Sequence, residues 1–289
     1  MSRSGGEPAS TDSARRAQLG HPRVHLRQTD STNDRARDLA LAGAPHGTLV
    51  TAAEQRAGRG RQGRRWSAPA GSALLLSLVL REPPPLLPLI AALAVADIAG
   101  EDAWIKWPND VVFRRDRSIE DNRGIAGRDD RPGDVGRPGD VGTLAKVAGI
   151  LAEGRPYPHG HRQEGWAVLG IGVNVAVRVE DLPAELHSTA ATLGRSPAEI
   201  EPALAVLLAA LGARLAEPTD TTLQAWRARD ALLGRTIGWS GGEGVADGID
   251  GDGRLVVALA DGGRTTLDAG EVHLGRAEAA RPAREQRLT

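Results

Sequence analysis

No cysteine occurs in the 289 residues. That excludes disulfides, thiolate metal sites and a cysteine nucleophile, and it fits a cytoplasmic protein. Aromatic residues are scarce, with six Trp, one Tyr and one Phe, and the formal net charge is only −1. A chain so balanced has no global attraction for nucleic acid or membranes, so any site for a polyanion has to be local. Long hydrophobic runs are missing too. The longest, Leu86 to Ala99, contains Pro88 and Asp97 and is too short to span a bilayer. Residues 1–20 carry Ser, Gly, Arg and Asp without an apolar stretch and do not read as a secretory signal. With 40% hydrophobic residues, the expectation is a soluble cytoplasmic protein of one or two domains.

Lysine is the most informative scarcity, because of 36 basic residues only Lys106 and Lys146 are lysine. An ammonium is a compact charge on a flexible stem and a guanidinium a rigid planar fork, so the two are not exchangeable at a crowded anionic site. Both lysines stand in apolar surroundings bounded by Gly or Pro, in Lys106-Trp107-Pro108-Asn109-Asp110 and Lys146-Val147-Ala148-Gly149-Ile150-Leu151. Asparagine is similarly sparse. Asn33, Asn109 and Asn174 sit in short motifs, and Asn122 falls in a segment that reads as disordered. Codon bias is the competing explanation of the lysine count.

The chain divides by texture. After a disordered tail over 1–20, Ser31 or Asp30 can cap a helix whose apolar positions Ala36, Leu39 and Ala40 recur at helical spacing, with Gly43 ending it. A strand over 47–52 leads into Glu54 to Trp66, too rich in Gly and Arg for a regular element and read as a mobile cationic loop. Ala73 to Leu80 is a buried strand and Leu86 to Ala99 a helix. Trp104 to Trp107 and Val111 to Phe113 are short strands broken by Pro108. Between 114 and 145 a balanced, low-complexity segment repeats Arg-Pro-Gly-Asp-Val-Gly and is expected to be an unstructured insertion. Strands at Lys146 to Glu153 and Trp166 to Val175 follow, then helices near Ala198 to Ala216 and Thr222 to Leu233. Grouped strands separated by helices predict an α+β domain over 21–230 with a mixed or largely antiparallel sheet. Beyond Gly234, short alternating runs between glycine turns predict a small all-β module over 231–276, and 277–289 is a charged tail.

Several segments bear on chemistry. Gly58-Arg59-Gly60-Arg61-Gln62-Gly63 matches G-x-G-x-x-G, yet a strand and not a helix is expected after it, which argues against a dinucleotide fingerprint, and it lacks the Gly-Lys-Ser/Thr ending of a P-loop. What remains is a flexible segment presenting Arg56, Arg59, Arg61, Arg64 and Arg65. Their mutual repulsion predicts ordering by an anion, with a merely solvated basic loop as the alternative. Pro108 fixes a turn that aims Asn109 and Asp110 together. A carboxylate beside phosphates works through Mg²⁺, whereas an Asx-turn needs no chemistry. In Gly170-Ile171-Gly172-Val173-Asn174, two glycines at alternate positions share one strand face, for close approach of a ligand or for a bulge. His159 and His161 have no third ligand nearby, so no histidine metal site is expected.

Ser31-Thr32-Asn33, Gln55 with Gly58 to Trp66, Lys106 to Asp110, Lys146 to Leu151 and Gly170 to Asn174 occur in one order. Together they resemble the motifs of biotin protein ligases over about residues 24–275. The resemblance implies a mixed sheet with helices on one side, akin to class II aminoacyl-tRNA synthetases and lipoate ligases, and a C-terminal SH3-like β-barrel. It implies an ATP-dependent ligase that converts biotin to biotinyl-5′-adenylate and transfers it to a lysine of the biotin carboxyl carrier domain of an acyl-CoA carboxylase. Lys146, Arg61 and Asp110 would be catalytic. Biotin would be held by Ser31, Thr32, Asn33, Gln55, Gly58, Arg59, Gly60, Arg61, Lys146, Gly170 and Gly172. ATP would be held by Arg64, Trp66, Lys106, Asn109, Asp110 and Asn174, with Mg²⁺ arriving on the nucleotide near Asp110 rather than at a fixed protein site. Family members that double as repressors carry an N-terminal winged helix, which the residues before Arg23 cannot form, so no DNA binding is expected. Oligomeric state is left between a monomer and a weak homodimer. The rival readings are a lipoate or other acyl ligase of the same fold and a non-enzymatic nucleic-acid binder using Arg56 to Arg65.

Overall fold

The computed structural model describes residues 19–115, 143–155, 165–268 and 272–274. Nearly all of the expected tails and most of the expected insertion lie outside these residues. At the margins, Gly20 is already bonded through its N–H to the Gly47 carbonyl at 2.9 Å. Arg114, Arg115 and Thr143 to Ala145 are paired strand residues.

The chain begins with strand β1 (Arg23–Leu26), which the sequence reading did not anticipate. Helix α1 (Thr32–Leu41) follows, with Ser31 as its cap: the Ser31 Oγ accepts from the Asp34 N–H at 3.4 Å. Gly43, just past the helix end, adopts φ 86°, which suits a residue without Cβ. Strand β2 (Leu49–Ala52) leads to the short pair β3 (Gly58–Arg59) and β4 (Arg65–Trp66), then to β5 (Ala73–Arg81), α2 (Leu87–Ala99), β6 (Ala103–Lys106) and β7 (Asp110–Arg115). Strands β8 (Thr143–Arg155) and β9 (Trp166–Asn174) and helices α3 (Ile200–Leu215) and α4 (Thr219–Arg227) complete the main body. The sheet runs β1-β2-β5-β9-β8-β7-β6. Only β1 and β2 are parallel within it, so it is mixed as expected.

Strand β5 shows how the layers are divided. Its even positions Leu74, Leu76, Leu78 and Leu80 join the large core with α2 and α3. On the opposite face Val79 packs with Ala36 and Ala40 of α1, and Ala73 and Leu75 pack with Val177, Leu182 and Ala190. Helices therefore cover both faces, correcting the one-sided expectation. A second correction concerns α4, expected to reach Leu233 but ending at Arg227. The next residues pair with β6 instead, the Ile105 N–H donating to Arg229 O at 2.7 Å and the Ala231 N–H to Ile105 O at 2.9 Å.

After Gly234 come β10 (Thr236–Trp239), β11 (Gly242–Ile249), β12 (Leu255–Ala258), β13 (Arg264–Leu267) and β14 (His273–Leu274), an antiparallel sheet in the order β13-β12-β11-β10-β14. Its buried Ile237, Ala246, Leu255, Val257 and Val272 belong to the same hydrophobic cluster as α2 and the main sheet. The Trp107 Nε1–H donates to the Gly253 carbonyl at 3.0 Å and ties the two sheets at the turn before Asp110.

Candidate active site

The face of the main sheet that carries α1 also carries a cleft of about 580 Å³. Its floor is set by register. Leu75, Gly172 and Gly149 lie side by side across β5, β9 and β8, and Ser77, Gly170 and Leu151 form the next row. The glycines leave space that the chain's own side chains fill. A Cβ at Gly170 would fall 2.0 Å from Asn33 Oδ1, and one at Gly172 would fall 2.6 Å from the Trp66 ring. The spacing thus serves close approach, first of Asn33 and Trp66 rather than of a ligand.

One end of the cleft is polar and mostly uncharged. Gln55 Oε1 accepts from the Thr32 N–H at 2.7 Å and from the Thr32 hydroxyl at 3.0 Å. Ser77, fully buried, donates to Asn33 Oδ1 at 2.6 Å, and its oxygen is 2.9 Å from Thr32 Oγ1. Asn33 Nδ2 donates to Glu153 at 3.0 Å. Ser77 and Glu153 were missed by the sequence reading. Ser77 carried one signal, being the single polar residue inside an apolar strand, and Glu153 gave none.

The other end is cationic. Lys146 Nζ and Asp110 Oδ1 are 2.6 Å apart, an ion pair without hydrogen-bond geometry, and the ammonium stands 5.6 Å from the Trp66 ring centroid. The Lys146 backbone is fixed by two contacts: its N–H donates to Thr189 O at 2.6 Å, and its carbonyl accepts from the Ala191 N–H at 2.8 Å. Arg115 fastens the same segment by donating to the carbonyls of His187 and Ala190. Burial lowers the affinity of Lys106 for its proton, the nearby Lys146 and Arg64 charges add to this, and Asp110 opposes it. Asn109 Nδ2 donates to Ile150 O at 2.7 Å, and its Oδ1 accepts from Arg61 at 3.4 Å. Asn174 Nδ2 donates to Ala191 O at 2.8 Å, while its buried Oδ1 has no partner among the described residues.

The Arg-rich segment departs from expectation. It is a hairpin, with Gly58 opposite Trp66 and Arg59 opposite Arg65, closed by a tight turn over Arg61–Gly63 in which Gln62 takes φ 53°. Repulsion among its guanidiniums is relieved within the protein. Arg59 reaches Asp34 at 2.6 Å and Glu153 at 3.2 Å, so its proton is held more tightly than usual, by the Asp34 hydrogen bond first and then the Glu153 charge. Arg65 donates to Arg56 O at 2.6 Å. Arg61 is partly buried, and that desolvation weakens its hold on the proton.

Of the residues expected at the site, Thr32, Asn33, Gln55, Arg59, Gly60, Arg61, Arg64, Trp66, Lys106, Asn109, Asp110, Lys146, Gly170, Gly172 and Asn174 all line this one cleft. Ser31 and Gly58 do not. The Ser31 hydroxyl is engaged in capping α1, and a Cβ at Gly58 would fall 2.5 Å from Trp66 O, which makes its smallness a requirement of the hairpin. Val272, His273 and Leu274 of the second sheet supply part of the wall. Among the described residues no group of three His, Asp or Glu side chains could hold a metal ion, and no helix is long and apolar enough to cross a membrane.

Residues 25–174 match the model of the biotin/lipoate A/B protein ligase family. The chain is 33% identical over 190 residues to the bifunctional ligase/repressor BirA of Bacillus spizizenii, a match that covers 63% of this chain and 49% of that protein. The chain thus spans about half the length of that relative. It is also 33% identical over 273 residues to the biotin–[acetyl-CoA-carboxylase] ligase of Paracoccus denitrificans, covering 86% of this chain and 99% of the relative. Among solved structures, the biotin protein ligase of Aquifex aeolicus in complex with biotin and ATP superposes with a TM-score of 0.65 at 23% identity, over 89% of this chain and 100% of that one.

Proposed function

The chain belongs to the biotin/lipoate A/B protein ligase family, and we propose that it is a biotin protein ligase that activates biotin with ATP and passes it to a lysine of a carboxylase carrier domain. The observation that carries this reading is the polarity of the cleft. A neutral hydrogen-bonding end at Thr32, Asn33 and Gln55 faces a cationic end at Lys146, Arg61 and Lys106. A molecule with an uncharged cyclic urea at one end and a carboxylate at the other satisfies both. A dithiolane in place of the urea offers these groups neither a donor nor a strong acceptor, which disfavours it.

In the first step the biotin carboxylate oxygen attacks the α-phosphorus of ATP. A C–O–P bond forms, the bond to the β-phosphate breaks and pyrophosphate leaves. Lys146 holds the carboxylate and opposes the charge growing on the α-phosphate, giving up Asp110 for the substrate, while Arg61 approaches from the hairpin. Arg59 closes over biotin and the adenylate. Arg64, Trp66, Lys106, Asn109 and Asn174 face the nucleotide. The carboxylate of Asp110 suits a hard cation, so Mg²⁺ carried by ATP would neutralise phosphate charge beside it. In the second step the acceptor amine attacks the acyl carbon, AMP leaves with the electrons of the broken C–O bond, and an amide forms. The second sheet, taken as an SH3-like module from about residue 231, contributes Val272 to Leu274 to the cleft wall.

Incubation with labelled biotin, ATP, Mg²⁺ and a biotin carboxyl carrier domain should label the carrier and leave no covalent label on the enzyme. Calorimetry should show binding of biotin and not of lipoate. Absence of transfer by a folded preparation, or preference for lipoate, overturns the reading.

A further inference from the structure

Through Asn33 and Arg59 of the cleft wall runs a connected chain of contacts that the reaction above does not require. The buried Ser77 donates to Asn33 Oδ1, Asn33 Nδ2 donates to Glu153 Oε2 at 3.0 Å, Glu153 Oε1 pairs with Arg59 at 3.2 Å, and Arg59 also pairs with Asp34 at 2.6 Å. The two ends differ in how they are anchored. Ser77 sits in the central strand β5 and is fully buried, whereas Arg59 is carried by a hairpin that pairs with no strand of the main sheet among the described residues.

We propose that Glu153 is a positioning residue for the acid-activating reaction, setting the amide of Asn33 with one carboxylate oxygen and clasping the Arg59 hairpin to the sheet with the other. A carboxylate only accepts hydrogen bonds, so Asn33 must turn its NH₂ toward Glu153 and its carbonyl toward Ser77. That fixes the order of donor and acceptor offered to a ligand in the neutral end of the cleft. The same carboxylate holds the hairpin near the site before a ligand arrives, so less ordering is left to be done on binding. Asp34, the neighbour of Asn33 on α1, is the second anchor of Arg59, but Glu153 is the carboxylate that bonds both Arg59 and the Asn33 amide itself.

The inference rests on the biotin ligase reading for its kinetic consequence but not for its structural one, and two variants separate them. Glu153→Gln keeps an acceptor for Asn33 and loses the charge facing Arg59. Glu153→Ala loses both. Without any ligand, limited trypsin digestion read by mass spectrometry should show cleavage after Arg61 and Arg64 accelerated in both variants, while their thermal midpoints stay close to wild type. In the biotinylation assay, Glu153→Gln should raise KM for biotin about fivefold, the size expected of a partly exposed charged pair, with kcat within about twofold. Glu153→Ala should raise KM further. Unchanged hairpin cleavage in both variants overturns the clasp, even if the protein proves to act on another acid. A fall in kcat at unchanged KM overturns the positioning role, because it would place Glu153 in the chemical step. Equal KM changes in the two variants overturn the claim about Asn33.

Discussion

Lys146 Nζ stands 2.6 Å from Asp110 Oδ1, so the ammonium assigned to the substrate carboxylate is already paired with a carboxylate of the neighbouring strand β7. In the proposed reaction an anionic substrate would exchange one partner of this lysine for another instead of charging a vacant site. The pairing keeps a partly buried ammonium compensated before substrate binds, and the exchange demands a small, flexible cation.

Lys146→Arg should keep the fold and lose activity. The guanidinium retains the charge but cannot enter the narrow space between Trp66, Gly149 and Asp110 in the same pose. Biotin-dependent pyrophosphate exchange should fall roughly 10²- to 10³-fold, the range for loss of one preorganised electrostatic contact. The melting curve should be nearly unchanged. Turnover near wild type would remove Lys146 from the chemical step.

Gly172→Ala should destabilise the protein by about 1–3 kcal/mol, because the new methyl group meets the Trp66 ring in a packed strand. Urea unfolding measures the loss. Tryptophan emission of the folded variant should shift as the indole is displaced. Wild-type stability with unshifted emission would mean the glycine is not needed for the ring.

Lys106 carries a pH signature. Its folded-state proton affinity is below the ordinary lysine value of 10.5, with burial as the first cause, Asp110 opposing it, and the Lys146 and Arg64 charges adding to it. The folded protein therefore releases this proton at lower pH than the unfolded chain does, and the burial penalty is present in full at neutral pH. As pH rises from the depressed value toward 10.5, the penalty fades. Lys106→Met should thus be more stable than wild type at pH 7, and the difference should shrink toward pH 10.5. A difference that stays constant over that window would show that charge burial is not its cause.

Trp107→Phe keeps most of the buried volume and removes the donor to Gly253 O. The cost should be about 1 kcal/mol, as for one neutral hydrogen bond. Hydrogen exchange in the 250–254 turn should quicken while exchange in β5 and β9 does not. Uniform acceleration throughout the chain would mean that the contact is not local to the junction of the two sheets.

How much of this was legible in the sequence depends on how each residue reaches the cleft. Lys106, Lys146, Gly170 and Gly172 lie on strands that the sequence displayed, Asp110 was read in the turn but opens β7, and their convergence follows from strand register. The early end of α4 was not legible, because Ile105 captures Arg229 and Ala231 through backbone pairing that leaves no mark on side-chain periodicity. The hairpin was misread as a loop for a related reason. Its order comes from Asp34 and Glu153, residues 25 and 94 positions from Arg59, and no local pattern announces partners at such separations. Glu153 looked like one more acidic residue at a strand end.

Trp66 rests on Gly172, so over that stretch the depth of the cleft is set by an indole delivered from the hairpin and not by the sheet beneath it. Anyone wishing to admit a bulkier ligand should shave the indole and leave the glycine shelf intact. Tailoring of that kind would alter a hairpin while the buried strands of the main sheet kept their native sequence.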